Sequence, residues 1–264
     1  MVSMSNTELQ TIRLEIRDGV AFLTFVRPAA ANTIHMQFSR ELLAAGFAIE
    51  AAPAVRAVVV SGEGKHFCLG GDLKGMVSSG NDVKAYLSEL TTTLHTAMIR
   101  LARLDAPVIA AINGTAAGAG LGLVLASDFA IASRGSKFVA SYTAVGLTPD
   151  ASCTFFLPRA VGYKRAVEML MTNRMLDAQE ALEWGLVNQV VEEDALSATA
   201  AALAAKLALG PIGAFGAVKR LLAESEPGLE AQLGRESQSI ATCGASIEGR
   251  EGIAAFLEKR SPRF

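Results

Sequence analysis

The 264 residues of the chain are enough for one large domain or for a domain with an appendage. Hydrophobic residues make up 51% of the chain and charged residues 19%, which permits a sizeable core and argues against disorder. The formal net charge is −2, from 24 Lys and Arg against 26 Asp and Glu. This balance gives no electrostatic reason to expect nucleic acid or an anionic membrane as a partner.

Cysteine and histidine are too sparse to predict a disulfide framework or a metal site. The three cysteines, Cys68, Cys153 and Cys243, form no C-x-x-C pair, and their odd number favours reduced thiols. The first residues are polar, and no apolar run reaches the ~18 residues that a membrane span needs. We therefore expect a cytoplasmic protein without bound metal.

Predicted strands and helices alternate in the first half of the chain. A hairpin is predicted at Thr11–Ile16 and Val20–Phe25. The next segments are helix Met36–Ala52, strand Ala57–Ser61, helix Ser78–Arg103, strand Val108–Ile112, a short helix that ends near Ser127, and strands Phe129–Ala132 and Lys137–Ala140. This alternation predicts an α/β fold with a mainly parallel sheet and crossover helices.

After Pro149 the pattern becomes mainly helical. Helices are predicted at Tyr163–Thr172, Ala178–Trp184, Ala195–Leu209, Ile212–Ala223, Leu229–Thr242 and Ile247–Leu257, with a short strand at Val187–Val191. We divide the chain into a core of residues 1–200 and a C-terminal helical region of residues 201–264.

Two glycine-containing turns each follow a buried strand. The first lies within Ser61–Met76 and has Gly70-Gly71 just before Asp72, a favoured helix cap. The second, Asn113–Gly120, leads into an apolar helix. Such turns present backbone N–H groups, and two of them at one point would form an oxyanion hole. The alternative is that the glycines only permit tight turns and close packing.

At these turns the chain resembles the crotonase, or enoyl-CoA hydratase/isomerase, superfamily. The matching segments are HFCLGGDLKGM, PVIAAINGTAAGAGLGL followed by ASDFAIAS, RPAAANTI, and the C-terminal REGIAAFLEKRSPRF. They occur in the family's order over nearly the whole chain. The resemblance implies a crotonase fold, which is a spiral of repeated ββα units with a helical C-terminal region. It also implies trimer contacts from residues 201–264, and so a homotrimer or a dimer of trimers.

The resemblance implies an acyl-CoA thioester as the substrate, with CoA as part of that substrate and no separate cofactor. By motif position, the N–H groups of Gly71 and Ala119 form an oxyanion hole that holds an enolate on the thioester oxygen. Alanine replaces the more usual glycine at position 119. Ala29, Ala30 and Leu69 match positions that contact CoA through backbone atoms.

A C-terminal pair, Phe256 and Lys259, matches positions that often reach a CoA in this family. For Phe256 the alternative is a core side chain. For Lys259 the alternative is a solvated charge near the end of the chain.

The proton-transfer groups depart from those of the family's hydratases, which use two glutamates. The matching positions here hold Gly122 and Tyr142, and neither can act as a carboxylate, since a phenol with a pKa of ~10 is a poor base at pH 7. Tyr142 either contacts the substrate or fills the space of a glutamate. Asp150, in GLTPDASCTFFLPRAVG, matches the only acid of several isomerases in the family. The pattern is most similar to the ring-epoxide isomerases of phenylacetyl-CoA breakdown.

One carboxylate suffices for a 1,3 proton shift, whereas hydration also needs a positioned and activated water. The sequence therefore predicts an enoyl-CoA double-bond or ring isomerase with Asp150 as its single acid and base. The alternative for Asp150 is an N-cap of a helix at Ala151–Leu157. The alternative functions are an enoyl-CoA hydratase and a CoA-binding subunit without turnover.

Overall fold

Ten strands and eleven α-helices are present in the computed structural model, which describes residues 9–224 and 228–264. The strands are β1 (Ile12–Arg17), β2 (Val20–Phe25), β3 (Ala57–Gly62), β4 (His66–Cys68), β5 (Val108–Ile112), β6 (Thr115–Ala117), β7 (Phe129–Ser133), β8 (Lys137–Val139), β9 (Leu176–Asp177) and β10 (Gln189–Val191). The helices are α1 (Met36–Glu50), α2 (Leu73–Ser78), α3 (Val83–Arg103), α4 (Ala119–Leu125), α5 (Cys153–Val161), α6 (Tyr163–Thr172), α7 (Ala178–Glu183), α8 (Leu196–Ala208), α9 (Ile212–Ala223), α10 (Leu229–Ala245) and α11 (Ile247–Leu257).

The strands form two sheets that together define a spiral. The larger sheet has the order β1-β2-β3-β5-β7-β10, and the smaller has the order β4-β6-β8-β9. All neighbours are parallel except β1 with β2 and β8 with β9. In each pair β3–β4, β5–β6 and β7–β8, the first strand joins the larger sheet and the second joins the smaller one. The predicted α/β class, the mainly parallel sheet and the spiral of ββα units are confirmed.

Apolar side chains cover both faces of the larger sheet. On one face a core forms with α1 and α3, and on the other face with α8. The buried residues of α8 include Ala200 and Ala204, whose small side chains let the helix lie close to the sheet. The proposed division at residue 200 falls within α8, and it stays a prediction.

Several predicted boundaries are wrong for local reasons. The long helix predicted from Ser78 begins at Val83, because Ser78 ends α2 and Gly80 adopts a positive φ of 55° that interrupts the helix. The strand predicted from Val187 begins at Gln189. The short strands β4, β6 and β9 were not predicted.

Within the part of the chain that the structure describes, no single helix is long and apolar enough to cross a membrane. One pair of helices, Glu193–Ala208 and Ile212–Ala223, meets the criteria of length and composition together, with a bend of 105° between them.

Candidate active site

The first glycine turn is fixed by a single bridge to the segment before α1. The N–H of Ile34 donates to the carbonyl oxygen of Gly70 at 2.8 Å, and the N–H of Asp72 donates to that of Ile34 at 2.8 Å. Both neighbours of Gly71 in the chain are thus hydrogen-bonded to Ile34, whereas the N–H of Gly71 itself makes no bond to Ile34. The side chain of Asp72 accepts a bond from the N–H of Lys74 at 3.1 Å, which confirms the predicted cap of α2.

The second turn packs directly on the first. Gly70 has a φ of 81° and Gly118 a φ of 52°, a backbone region in which side chains are strained. A Cβ placed on Gly70 would lie 2.8 Å from the carbonyl oxygen of Ala117 and 3.1 Å from the nitrogen of Ala119. The two turns therefore approach each other through backbone atoms alone.

Two N–H groups at this contact lack a backbone acceptor. In residues 9–224 and 228–264, no hydrogen bond involves the N–H of Gly71 or that of Ala119. Ala119 is the first residue of α4 and is not among the residues of positive φ, so its methyl group causes no backbone strain. Unpaired N–H groups on adjacent turns are what an oxyanion hole requires. Their role as such a hole stays a prediction.

A third turn, which carries Asp150, packs on α4. Ala151 and Ser152 follow Asp150 with φ values of 47° and 65°, so two successive residues other than glycine are left-handed. A Cβ placed on Gly122 of α4 would overlap the carbonyl oxygen of Ala151 and lie 2.8 Å from its Cβ. Glycine at position 122 thus allows this turn to approach α4.

The helix-cap alternative for Asp150 is wrong. The helix begins at Cys153, not at Ala151, and its N-cap residue is Ser152, whose side chain makes no capping bond. Asp150 contributes only its backbone carbonyl, which accepts from the N–H of Cys153 at 3.0 Å. The two left-handed residues carry the chain past the position where the Asp150 side chain could cap the helix. The carboxyl group is therefore free for another role.

His95 on α3 is the partner that the sequence did not reveal. Its Nε2 lies 3.5 Å from Oδ2 of Asp150 and 3.3 Å from the nitrogen of Ala151. The side chains of His95 and Asp150 are 41% and 29% exposed, so the pair is open to a ligand as well as to solvent. A lone histidine on a helix, 55 positions from its partner, gives no sequence signal that distinguishes it from a surface residue.

The protonation of this pair decides which bond Nε2 makes. An unprotonated Nε2 accepts from the N–H of Ala151, whereas a protonated Nε2 donates to the Asp150 carboxylate; one nitrogen cannot do both. A proton on Asp150 can instead be donated to the lone pair of Nε2. The arrangement can therefore hold one proton beside the carboxylate at more than one position.

Tyr142 is nearly buried and braces the Asp150 turn. Its Oη lies 3.4 Å from the carbonyl oxygen of Asp150 and 3.9 Å from Sγ of Cys153. Burial, with the neighbouring Cys153 and Asp150, raises the pKa of Tyr142 far above its usual value, so the phenol stays protonated. This geometry favours the alternative in which Tyr142 fills the space of a glutamate, and its role as a substrate contact stays a prediction.

The predicted CoA contacts fall into two groups. Ala29 and Ala30 lie in a helical turn at Pro28–Ala30, and the N–H of Leu69 donates to the next carbonyl, that of Ala31, at 3.2 Å. The structure thus brings Ala29, Ala30 and Leu69 to one place beside the first glycine turn. Their contact with CoA stays a prediction.

The C-terminal pair lies on another part of the surface, at the end of α11, which packs on α10. Phe256 is 83% exposed, so the core alternative for this residue is wrong. Lys259 is exposed and has a φ of 54°. The placement leaves both side chains accessible.

Cys68 lies at the end of β4, next to the first turn, and is fully buried. Burial raises the pKa of its thiol to about 12. The thiol is therefore protonated at neutral pH, which is consistent with a packing role and not with nucleophilic catalysis.

The chain is similar in sequence and in fold to known proteins of one enzyme family. Residues 15–264 match the family model described as enoyl-CoA hydratase/isomerase. A protein of Rhodobacter capsulatus named "Probable enoyl-CoA hydratase" is 40% identical over 256 residues, which are 96% of this chain and 97% of that protein. The 1,2-epoxyphenylacetyl-CoA isomerase of Escherichia coli is 35% identical over 258 residues, covering 97% of this chain and 98% of that one. The crystal structure of an enoyl-CoA hydratase from Polaromonas sp. superposes with a TM-score of 0.91 at 33% identity, over 96% of this chain and 98% of that one.

Proposed function

Because the chain belongs to the enoyl-CoA hydratase/isomerase family of acyl-CoA enzymes, we propose that it is an isomerase, with Asp150 as its single acid and base. The observation that carries this proposal is the Asp150 turn. It takes the space beside Gly122 in which a family hydratase would carry a glutamate. The remaining carboxyl group makes no helix-capping bond. Its turn is joined to the glycine turn at Gly118 by Tyr142, whose hydroxyl lies 3.4 Å from the Asp150 carbonyl oxygen and whose ring lies next to Gly118.

The proposed reaction is a 1,3 proton shift on a 3-enoyl-CoA. The Asp150 carboxylate takes a proton from C2, and the electron pair of that C–H bond moves onto the thioester oxygen. The N–H groups of Gly71 and Ala119 stabilise this enolate, and one such donor is typically worth about 10²–10³ in rate. Protonated Asp150 then gives the proton to C4, while a double bond forms between C2 and C3. Asp150 ends as the carboxylate from which it started.

His95 contributes to this cycle by its position. During the half of the cycle in which Asp150 carries the proton, Nε2 of His95 is an acceptor within 3.5 Å of Oδ2. After the proton has left, the same nitrogen can return to the N–H of Ala151. The bond to Nε2 would thus orient the Asp150 side chain while that side chain carries the proton.

Hydration is the second candidate, because a relative of the chain carries a hydratase name. It requires a second group that positions and activates water. Gly122 has no side chain, and the phenol of Tyr142 is protonated and faces Asp150 and Cys153. A third possibility is a CoA-binding subunit without turnover.

Product analysis separates these candidates. The protein is incubated in heavy water with a 3-enoyl-CoA and, separately, with the 2-enoyl-CoA of equal length, and the acyl carbons are followed by NMR. Interconversion of the two enoyl thioesters without a 3-hydroxyacyl product supports the isomerase. A 3-hydroxyacyl product would replace it with the hydratase. Binding without either reaction would assign the protein to the subunit without turnover.

We also propose that the C-terminal region joins three copies of the chain. Large apolar side chains on its helices are exposed, among them Leu222, Ile240, Ile247 and Phe256. Such a surface is typical of contacts between protein chains. Light scattering on the purified protein would measure a mass of three or six chains, and a monomer would contradict this proposal.

A further inference from the structure

A cavity of about 630 Å³ lies between α3, the end of α4, the start of α5, and α9. Its volume is within the range of small-molecule sites. Much of its wall is apolar and consists of Met98, Ile99, Leu125, Phe155, Phe156 and Leu222.

The cavity begins next to the proposed acid and base. His95 is part of its wall, and the Nε2 of this histidine lies 3.5 Å from the Asp150 carboxyl group. Ser152, two residues after Asp150, is also part of the wall. An acyl chain whose reacting carbons lie at Asp150 can therefore continue past His95 into the cavity.

Two cations of the wall have no carboxylate partner. Within the described ranges, the side chain of Arg103 makes no ion pair or hydrogen bond. The guanidinium of Arg159 stacks 3.7 Å above the ring of Phe155 and donates to its carbonyl oxygen at 2.6 Å, without an acidic partner among the same residues. Both side chains can therefore accept an anion without breaking an existing salt bridge.

The acidic side chains of the wall are already paired. Asp128 lies 2.7 Å from Nζ of Lys219, and Glu224 lies 2.8 Å from the guanidinium of Arg235. In each pair the negative charge of the carboxylate is balanced by the positive charge of its partner. The cavity therefore keeps an excess of positive charge from Arg103 and Arg159, beside an apolar wall.

One polar atom of the wall also lacks a partner. The Oγ of Ser152 is buried and has no hydrogen-bond partner in the described part of the chain. With less than 1 Å² of accessible area, this oxygen is closed to a ligand in the cavity, so the polar groups available to such a ligand are the side chains of Arg103 and Arg159.

We propose that the cavity binds the distal end of the acyl group and selects acyl-CoA thioesters whose chain ends in a carboxylate. The apolar wall takes the methylene groups, and Arg103 and Arg159 bind the terminal anion. The inference rests on the proposed function, because it places the reacting carbons at Asp150. It adds the chemical class of the acyl group.

The test uses saturated thioesters, which bind without undergoing the proton shift. Dissociation constants are measured by calorimetry for adipoyl-CoA and suberoyl-CoA, and for the same thioesters with a methyl ester in place of the terminal carboxylate. Since Arg103 is exposed, we expect a preference of about three- to tenfold for the carboxylate with at least one of these chain lengths. Arg103→Met should weaken this preference, and the double variant Arg103→Met with Arg159→Met should reduce it to about onefold.

Arg40→Met is the matched control, because it also removes one exposed positive charge, from a side chain paired with Glu89 on the surface. It should keep the preference of the unmodified protein. Equal affinity for acid and ester at both lengths, or an unchanged preference in Arg103→Met, would overturn the proposal. Tighter binding of the esters would assign the cavity to a neutral acyl chain. The assay needs no turnover, so a failed isomerase assay and a failed carboxylate preference are distinguishable.

Discussion

Gly122→Ala tests the contact on which the Asp150 turn depends. The added Cβ would lie 2.8 Å from the Cβ of Ala151, whereas ordinary contacts begin at 3.4 Å, so this separation must grow by about 0.6 Å (3.4 − 2.8). Relief of the overlap with the Ala151 carbonyl oxygen requires a larger shift. A displacement of about 1 Å at a catalytic group costs on the order of 10²-fold in rate, and overpacking costs about 1–3 kcal/mol of stability.

The assay for Gly122→Ala combines the kcat of isomerisation with the free energy of unfolding in urea. We expect kcat to fall by about 10²-fold and the free energy of unfolding to fall by about 1–3 kcal/mol. Gly234→Ala in α10 is the control, because nothing lies within 4 Å of a Cβ at that position. It should leave kcat unchanged and stabilise the helix by up to about 1 kcal/mol. A destabilised Gly122→Ala variant with full activity would refute a role for the geometry of this turn in catalysis.

Three further predictions concern stability and reactivity. Glu41→Gln should lower the free energy of unfolding by about 1–3 kcal/mol at pH 7. Burial opposes the charge of Glu41, but hydrogen bonds from Thr11 and Gln10 outweigh it and lower the pKa of the carboxyl group from 4.5, so in urea titrations the loss should shrink as the pH falls below about 4.5. A loss that does not depend on pH would contradict this explanation. Tyr142→Phe should leave KM unchanged, because the hydroxyl faces the Asp150 carbonyl, and a several-fold rise in KM would instead support a substrate contact. A thiol reagent at pH 8 should modify the partly exposed Cys243 quickly, and Cys68 and Cys153 only after unfolding, because burial raises the pKa of these two thiols to about 12. Fast reaction of all three thiols would contradict the burial of Cys68 and Cys153.

The sequence predicted the larger sheet better than the smaller one. Strands such as β2 and β5 are largely apolar runs of five or six residues, and their ends were predicted correctly. The strands β4, β6 and β9 have three, three and two residues, too few for any periodicity to appear. They form because the fold brings them next to one another in the smaller sheet, and no single segment contains the information about this pairing.

The parts of the candidate site that lie in sequence motifs were predicted, and the parts that form only through tertiary contacts were missed. The glycine turns at Gly70 and Gly118 need positive φ, and such positions are visible in a sequence. The left-handed pair Ala151 and Ser152 is not visible, because neither residue type favours that conformation. His95 joins Asp150 only through the packing of α3 on the Asp150 turn, so no local pattern could reveal it.

The most direct test of the account is the kcat of Asp150→Asn for the conversion of a 3-enoyl-CoA to a 2-enoyl-CoA. Asparagine keeps the shape of the side chain and removes the base, and no capping bond is lost, so the free energy of unfolding should stay nearly unchanged. We expect kcat to fall by about 10²–10⁴, which is the usual contribution of a general acid or base. A variant that keeps kcat within tenfold of the unmodified protein would contradict the claim that Asp150 moves the proton.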